Sequence, residues 1–253
     1  ETSARVDTVV MDKTGTLTRG KPTLVRVLPF GLSQEEALRL AAALERGSEP
    51  PLAKAVLEAA DSLPHAQAEE VRALPGEGVE GRVEGRRLHL GGPALMERLG
   101  VPLPEEAKAL PEEGYTPLYL VEGTRLLAAF AVFDPPRPAA QEAVAALKAL
   151  GLKLVLLTGD HPAPARRVAE ALGIPEVLAG VRPEGKVEAI RRLQAEGRKV
   201  VFVGDGINDA AALAQADVGL AMGSGTDIAL EAGDVVLLTP DLRGVVNAVR
   251  LAR

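Results

Sequence analysis

Seven residues near the start of the chain, Asp-Lys-Thr-Gly-Thr-Leu-Thr at 12–18, have the types and spacing needed for phosphate chemistry. They follow the apolar residues 9–11, which predict a short buried strand. An aspartate at the C-terminal end of such a strand, followed by a glycine-containing loop, is placed to attack phosphorus as a nucleophile. Thr14 carries a hydroxyl that cannot act as a general acid or base near neutral pH. A phosphoryl group on Asp12 should therefore persist.

Three further polar clusters are predicted at the carboxyl ends of strands. They are Thr158-Gly159-Asp160 after the apolar run 154–157, Lys186 within 182–186, and residues 204–209 after the apolar run 200–203. Each cluster alone is typical of a turn or of a solvated side chain. Functional residues of an α/β sheet collect at the carboxyl ends of its strands. Four such clusters in order therefore predict a site for phosphoryl transfer.

Each cluster can supply one part of that reaction. Asp12 would attack, and Asp205 would hold a divalent ion together with it, because oxygen-rich coordination suits Mg²⁺. Thr158 and Lys186 would contact the transferring phosphoryl oxygens and neutralise their charge. Two further residues would shape the surroundings of the metal: Asn208 and Asp209.

The predicted elements place these residues on one α/β domain. After Asp134, strands alternate with helices, which predicts a parallel, doubly wound sheet that also contains the strand of Asp12. The section between them shows short strand candidates separated by glycines and turn residues, which predicts an antiparallel sheet with helices. We therefore predict a domain of residues 1–21 and 130–253, interrupted by an inserted domain of residues 22–129.

Composition narrows the function classes. The 253 residues are 47% apolar and 25% charged, with a net charge of −6, which argues against a nucleic-acid partner. No cysteine is present, so disulfides and thiolate metal sites are excluded. No apolar stretch approaches the ~20 residues that span a bilayer. The chain begins with Glu1 rather than Met, and we expect it to be part of a longer protein.

The motifs together resemble those of the P-type ATPases, in their catalytic cytoplasmic part, which has a haloacid-dehalogenase-like fold. The matching motifs are DKTGTLT (12–18), TGD (158–160), Pro183 with Lys186, and GDGINDAAAL (204–213). Within that family, GSGTDIA (223–229) and the short inserted domain resemble the heavy-metal-transporting branch, of which copper(I) exporters are the commonest type. The resemblance implies an α/β phosphorylation domain with an inserted α+β nucleotide-binding domain.

The resemblance also implies a role for each matching residue. Asp12 would become the aspartyl-phosphate, and Mg²⁺ would be held around it. The implied catalytic residues are Asp12, Lys186, Thr158 and Asp160. The implied phosphate-binding residues are Lys13, Thr14, Gly159 and Asn208. The implied metal ligands are Asp12, the carbonyl of Thr14, Asp205 and Asp209.

The inserted domain carries weaker signals that the resemblance turns into an ATP site. By residue type alone, Gly76-Glu77-Gly78 and Gly91 are typical of turns or bulges, and the end of the helix at Glu45 is typical of a solvated terminus. In the heavy-metal branch the matching positions bind ATP. They are Glu45, Ser48, Glu49, Pro50, Gly76, Gly78 and Gly91.

Three functions compete at this point. The first is the ATP-binding, autophosphorylating part of a metal pump on the cytoplasmic side of a membrane. Its implied partners are ATP and the actuator domain and membrane helices of the same protein, with the transported ion bound elsewhere. The second is a soluble phosphatase of the same fold with residues 22–129 as a cap, against which Thr14 argues. The third is a regulatory nucleotide-binding module that takes up no phosphate.

One departure from the family pattern gives a prediction. The branch usually reads Ser-Glu-His-Pro where this chain reads Ser-Glu-Pro-Pro at 48–51. Because the proline side chain of Pro50 has neither a donor nor an aromatic face for the adenine, we expect Pro50→His to strengthen ATP binding. Calorimetric titration of both proteins measures the change. An unchanged or weaker affinity in the histidine variant would contradict the expectation.

Overall fold

The computed structural model describes residues 5–47, 51–206, 209–222, 236–239 and 241–251. The strands of these residues are β1 (Thr8–Asp12), β2 (Thr23–Pro29), β3 (Ala68–Leu74), β4 (Gly78–Val83), β5 (Arg86–Gly91), β6 (Thr116–Glu122), β7 (Arg125–Phe133), β8 (Lys153–Leu157), β9 (Glu176–Leu178), β10 (Val200–Asp205), β11 (Val218–Met222) and β12 (Val236–Thr239). The helices are α1 (Gln34–Glu45), α2 (Pro51–Ala59), α3 (Pro93–Leu99), α4 (Glu105–Lys108), α5 (Ala140–Ala149), α6 (Pro162–Leu172), α7 (Lys186–Ala195), α8 (Ala210–Gln215) and α9 (Leu242–Leu251).

The chain forms two compact units. Unit 1 comprises residues 1–20 and 135–253, and unit 2 comprises residues 21–134. The sequence-based boundary after residue 129 differs from this division, because β7 pairs with β2 as far as Phe133 opposite Thr23. Residues 130–133 therefore belong to the antiparallel sheet, since hydrogen bonds to a neighbouring strand hold them there.

Unit 1 is built on a parallel sheet with the strand order β12-β11-β10-β1-β8-β9. The apolar residues Val9, Val10 and Met11 of β1 have no exposed surface, as expected for a strand covered on both faces. The chain passes from β1 to β8 and β9 on one side and returns to β10 on the other. The order of the strands thus reverses beside β1, which is where ligands bind in sheets of this type.

Unit 2 is built on an antiparallel sheet with the strand order β2-β7-β6-β5-β4-β3. Alternate residues of β6 face two different cores: Leu118 and Leu120 pack with residues of α1 and α2, whereas Tyr119 and Val121 pack with residues of α3 and α4. Both faces of this strand are therefore buried. The predicted α/β sheet with an inserted antiparallel sheet and helices is confirmed.

The helices α3 and α4 are additions that the sequence analysis did not predict. By residue type Gly91 was expected in a turn or bulge, but two residues later Pro93 is the first residue of α3, a position where its missing N–H costs nothing. The Tyr119 hydroxyl donates to the carbonyl of Ala107 in α4 at 2.9 Å. These two short helices close the second face of the sheet.

Across the part of the chain that the structure describes, no helix has both the length and the apolar character needed to cross a bilayer.

Candidate active site

The polar clusters of unit 1 meet at the carboxyl ends of three neighbouring strands. In the sheet register, Asp12 at the end of β1 lies beside Leu157 of β8, so Thr158 is one step further along that edge. On the other side, Met11 pairs with Val203 of β10, and β10 ends at Asp205. The predicted convergence of these strand ends is therefore seen in the structure.

The centre of this edge is a lysine between two carboxylates. The ammonium of Lys186, the first residue of α7, lies 3.2 Å from Asp12 Oδ1 and 2.9 Å from Asp209 Oδ1. The three side chains are only 15%, 8% and 2% exposed, respectively. The second oxygen of Asp209 accepts a hydrogen bond from the backbone N–H of Asp205 at 3.0 Å. Asp209 thus connects the lysine to the end of β10.

Burial and charge set the protonation of this group. Burial, followed by the charge of Asp209, raises the pKa of Asp12 to about 7, although Lys186 opposes the shift. Burial alone would lower the pKa of Lys186, but its hydrogen bonds to Asp209 and Asp12 raise it instead. The ammonium therefore stays charged and faces two carboxylates. One ammonium neutralises only one of them when both are ionised, so a bound cation would be favoured here.

A second ion pair lies beside this group. The buried ammonium of Lys13 is 2.5 Å from Asp160 Oδ2, and the side chain of Asp160 is 40% exposed. The backbone N–H of Asp160 donates to the Thr158 hydroxyl at 3.1 Å, and Thr158 is 1% exposed. A side chain at Gly159 would lie 3.2 Å from the carbonyl oxygen of Val181. In this structure, the charge of Lys13 is thus engaged by Asp160.

The loop after Asp12 is a tight turn of residues 13–17. Thr14 has an extended backbone and Gly15 has a φ of 80°, a left-handed conformation that suits glycine. The Arg137 guanidinium donates from Nη2 to the Gly15 carbonyl at 2.9 Å, and its backbone N–H donates to the Leu17 carbonyl at 2.7 Å. Arg137 was not predicted from the sequence, because one arginine in a proline-rich stretch carries no signal of its own.

The donor set at this edge fits Mg²⁺. Among the described residues, no three His, Cys, Asp or Glu side chains converge to hold a metal by themselves. The predicted donors, Asp12, Asp205 and the Thr14 carbonyl, are a smaller set, and all of them are oxygens. Mg²⁺ commonly binds to one or two carboxylates and completes its shell with water and substrate phosphate. Asn208 and the motif 223–229 lie outside the described residues.

The predicted nucleotide residues that the structure describes lie in unit 2. Glu45 is the last residue of α1, and burial raises the pKa of this 8%-exposed carboxyl to about 7. Ser48, Glu49 and Pro50 lie outside the described residues.

Three glycines were predicted to contact the nucleotide, and two of them are required by the close pairing of strands in the sheet. Gly78 of β4 pairs with Gly91 of β5. A Cβ on Gly78 would lie 2.1 Å from the carbonyl oxygen of Leu90, and one on Gly91 would lie 2.1 Å from that of Glu77. Gly76 differs, because its φ of +75° favours glycine but a Cβ there would meet no atom within 4 Å.

Comparison with known proteins gives consistent matches. A family model described as a haloacid dehalogenase-like hydrolase matches residues 6–217. Copper-transporting ATPase 1 of Rhizobium meliloti (strain 1021) is 45% identical over 253 residues, covering 98% of this chain and 31% of that protein. Copper-exporting P-type ATPase B of Archaeoglobus fulgidus is 41% identical over 255 residues, covering 100% of this chain and 37% of that protein. The chain thus spans about a third of the length of these relatives.

Comparison with solved structures gives matches of the same kind as the comparison of sequences. A crystal structure of a zinc-transporting PIB-type ATPase in the E2.Pi state matches with a TM-score of 0.77 and 42% identity, covering 99% of this chain and 42% of that one. The catalytic domain of the CPx-ATPase CopB-B, from a study of conformational changes upon nucleotide binding, matches with a TM-score of 0.74 and 29% identity, covering 99% and 90%. The predicted resemblance to heavy-metal P-type ATPases is confirmed.

The glycines give a prediction that separates fold from ligand binding. Gly91→Ala should cost about 3 kcal/mol or more of unfolding free energy, at or above the upper end for overpacking, because its Cβ meets backbone. Gly76→Ala should cost only ~1–2 kcal/mol, for the left-handed backbone. Urea unfolding and calorimetric ATP titration measure both effects.

Gly85→Ala is the matched control, because Gly85 has a φ of +78° and equally open space but no proposed ligand contact. Weaker ATP binding by Gly76→Ala than by Gly85→Ala supports a nucleotide role for Gly76. Equal affinities would remove Gly76 from the site.

Glu45 gives a prediction about pH. Burial raises the folded-state pKa of Glu45 from 4.5 to about 7. The free energy of unfolding therefore falls as pH rises between these values, because the buried carboxyl resists ionisation. Glu45→Gln avoids that penalty and should gain, relative to the parent, up to about 3 kcal/mol of unfolding free energy at pH 8. Its advantage should shrink towards pH 4.5.

Urea unfolding across pH 4.5–8 measures the difference, with the exposed Glu58→Gln as the control. An advantage of Glu45→Gln that does not change with pH would show that Glu45 is not the titrating group.

Proposed function

This chain belongs to the haloacid dehalogenase-like hydrolases, and we propose that it is the ATP-binding and autophosphorylating portion of a heavy-metal P-type ATPase. The observation that carries the proposal is the Lys186 ammonium held between the buried carboxylates of Asp12 and Asp209. That contact brings the carboxylate at the end of β1 beside a charged ammonium at the start of α7, which supports the proposed roles of nucleophile and phosphate-neutralising charge.

In the proposed reaction, an Asp12 oxygen attacks the γ-phosphorus of ATP. The new bond is a carboxyl oxygen–phosphorus bond, the bond that breaks joins the γ-phosphorus to the β,γ-bridging oxygen, and ADP leaves with that oxygen. Lys186 neutralises charge on the transferring phosphoryl oxygens, and Asp209 keeps its ammonium in place. Thr158 would contact the phosphoryl group, while Lys13, paired with Asp160, holds the start of the loop.

Asp12, Asp205 and the Thr14 carbonyl would hold Mg²⁺, with Asn208 and Asp209 shaping its surroundings. When bound, Mg²⁺ supplies positive charge that favours the ionised form of Asp12 and neutralises phosphate. Asp209 uses one oxygen for Lys186 and the other for the Asp205 N–H. We therefore assign it mainly to positioning these two residues.

Unit 2 would bind the nucleotide. We assign this role to Glu45 and Gly76, with Gly78 and Gly91 shaping the close strand pair beside them, and to residues 48–50. The description of a similar catalytic domain by its changes upon nucleotide binding supports this assignment. A carboxyl as buried as Glu45, without solvent to favour its charge, suits recognition of a polar group on the base.

The phosphorylated state would last because the Thr14 hydroxyl can neither take a proton from an attacking water nor give one to a leaving group near neutral pH. Hydrolysis would then require a group supplied by another part of the full protein. The relatives' names favour copper as the transported ion, and the proposed form of the ion is copper(I). Ion binding would occur in membrane helices, with units 1 and 2 on the cytoplasmic side and an actuator domain of the same protein as partner.

The proposal predicts covalent labelling. With radioactive γ-labelled ATP and Mg²⁺, the parent protein should retain acid-stable, hydroxylamine-labile phosphate, and Asp12→Asn should retain none, since an amide cannot accept it. The exposed Asp61→Asn is the matched control and should label like the parent. Label that survives in Asp12→Asn would sink the proposal.

Two other outcomes would favour the competing functions. Rapid hydrolysis of simple phosphate esters without trapped phosphate would indicate the soluble phosphatase. ATP binding without any label in the parent would indicate a regulatory nucleotide-binding module.

A further inference from the structure

Arg137 holds the loop that directly follows Asp12. Its Nη2 donates to the Gly15 carbonyl at 2.9 Å, and its backbone N–H donates to the Leu17 carbonyl at 2.7 Å. The preceding residue, Pro136, forms an antiparallel bridge with Thr18. That bridge includes the second of these hydrogen bonds, so one short segment contacts the loop through two of its carbonyls, within unit 1.

The loop needs such an anchor because it is not a regular helix. Thr14 is extended and Gly15 is left-handed within the turn of residues 13–17. Glycine loses more conformational freedom on folding than any other residue, so its conformation must be fixed by its surroundings. A charged donor makes a hydrogen bond about twice as strong as a neutral one. The guanidinium is thus well suited to fixing the peptide that follows Gly15.

The burial of Arg137 favours a dedicated role over a solvated one. Its Nε is buried without a hydrogen-bond partner among the described residues, as is the hydroxyl of Thr16 in the same loop. A buried polar group without a partner costs ~1–3 kcal/mol. An arginine kept at that cost is better explained by what its other donor holds than by its contribution to stability.

The position of Arg137 in the chain adds a second reason. The chain leaves unit 1 after Gly20 and returns at Pro135. Arg137 therefore lies directly after the returning crossing and contacts the loop directly before the departing one.

We propose that Arg137 is a positioning residue that holds the Gly15 peptide, and through it Asp12 and Thr14, in the geometry for phosphoryl transfer. This inference rests on the proposed function. Arg137 touches neither the phosphoryl group nor the nucleotide in this assignment. Its loss should therefore slow the chemical step and leave ATP binding unchanged.

The test compares Arg137→Ala and Arg137→Lys with the parent. Arg137→Ala should slow phosphate uptake from γ-labelled ATP by about 10- to 100-fold, the range seen when an orienting partner is removed. Arg137→Lys should restore part of the rate, since its ammonium can still donate to the Gly15 carbonyl. Calorimetric ATP affinity should equal that of the parent in both variants. Arg243→Ala, which removes an exposed arginine of α9, is the control.

A second readout needs no nucleotide. Hydrogen exchange of peptides that cover residues 11–20 should be faster in Arg137→Ala than in the parent and the control, whereas the strands β8 and β10 should be unchanged. If Arg137→Ala does not fold, Arg137→Lys takes its place, and a slower rate with unchanged ATP affinity is again the expected result.

The outcomes separate this inference from the proposed function. Parent-like labelling and exchange in Arg137→Ala, beside an unlabelled Asp12→Asn, would overturn the positioning role alone. A matching fall in ATP affinity would overturn it as well. Label that survives in Asp12→Asn, or a parent without label, would overturn the proposed function and this inference with it.

Discussion

The site depends on one ammonium group between two buried carboxylates. Without Lys186, Asp12 and Asp209 would be like charges in a poorly solvated space, where at least one would take up a proton. Even with it, the pKa of Asp12 is raised to about 7. The geometry thus keeps Asp12 close to its titration point near neutral pH, so that added positive charge favours its ionised form. The parallel sheet makes this possible by bringing the ends of β1 and β10 together at the point where the strand order reverses.

In unit 2, a glycine can match a ligand-binding motif and still be required for a separate reason, the close approach of two strands. Gly78 and Gly91 allow β4 and β5 to approach more closely than any side chain would permit. At Gly76 a side chain would meet no neighbouring atom, and glycine is favoured there only because the backbone is left-handed. A loss of ATP binding after substitution therefore has a different meaning at each position, and Gly76 is the one where the ligand can be examined separately from the fold.

The sequence predicted the elements whose signals are local. The apolar run before Asp12 and the alternation of strands and helices after Asp134 identified the sheet and its functional edge, and the parallel register then brought the clusters together. The contacts that depend on packing escaped prediction. Arg137 lies outside the motifs described above, and its proposed role depends on the carbonyl of Gly15, which is far away in the sequence. The helix α3 was hidden by the glycines that precede it, and the inserted unit extends to residue 134 because β7 pairs along its whole length.

The two crossings between the units lie side by side within each unit. Thr18 bridges Pro136 in unit 1, and Thr23 pairs with Phe133 in unit 2. Such paired positions in antiparallel strands are only ~5 Å apart. The gene segment for unit 2 could accordingly be gained or deleted in one event without breaking a strand of the sheet that holds Asp12. A very short peptide would then be enough to rejoin the ends of unit 1.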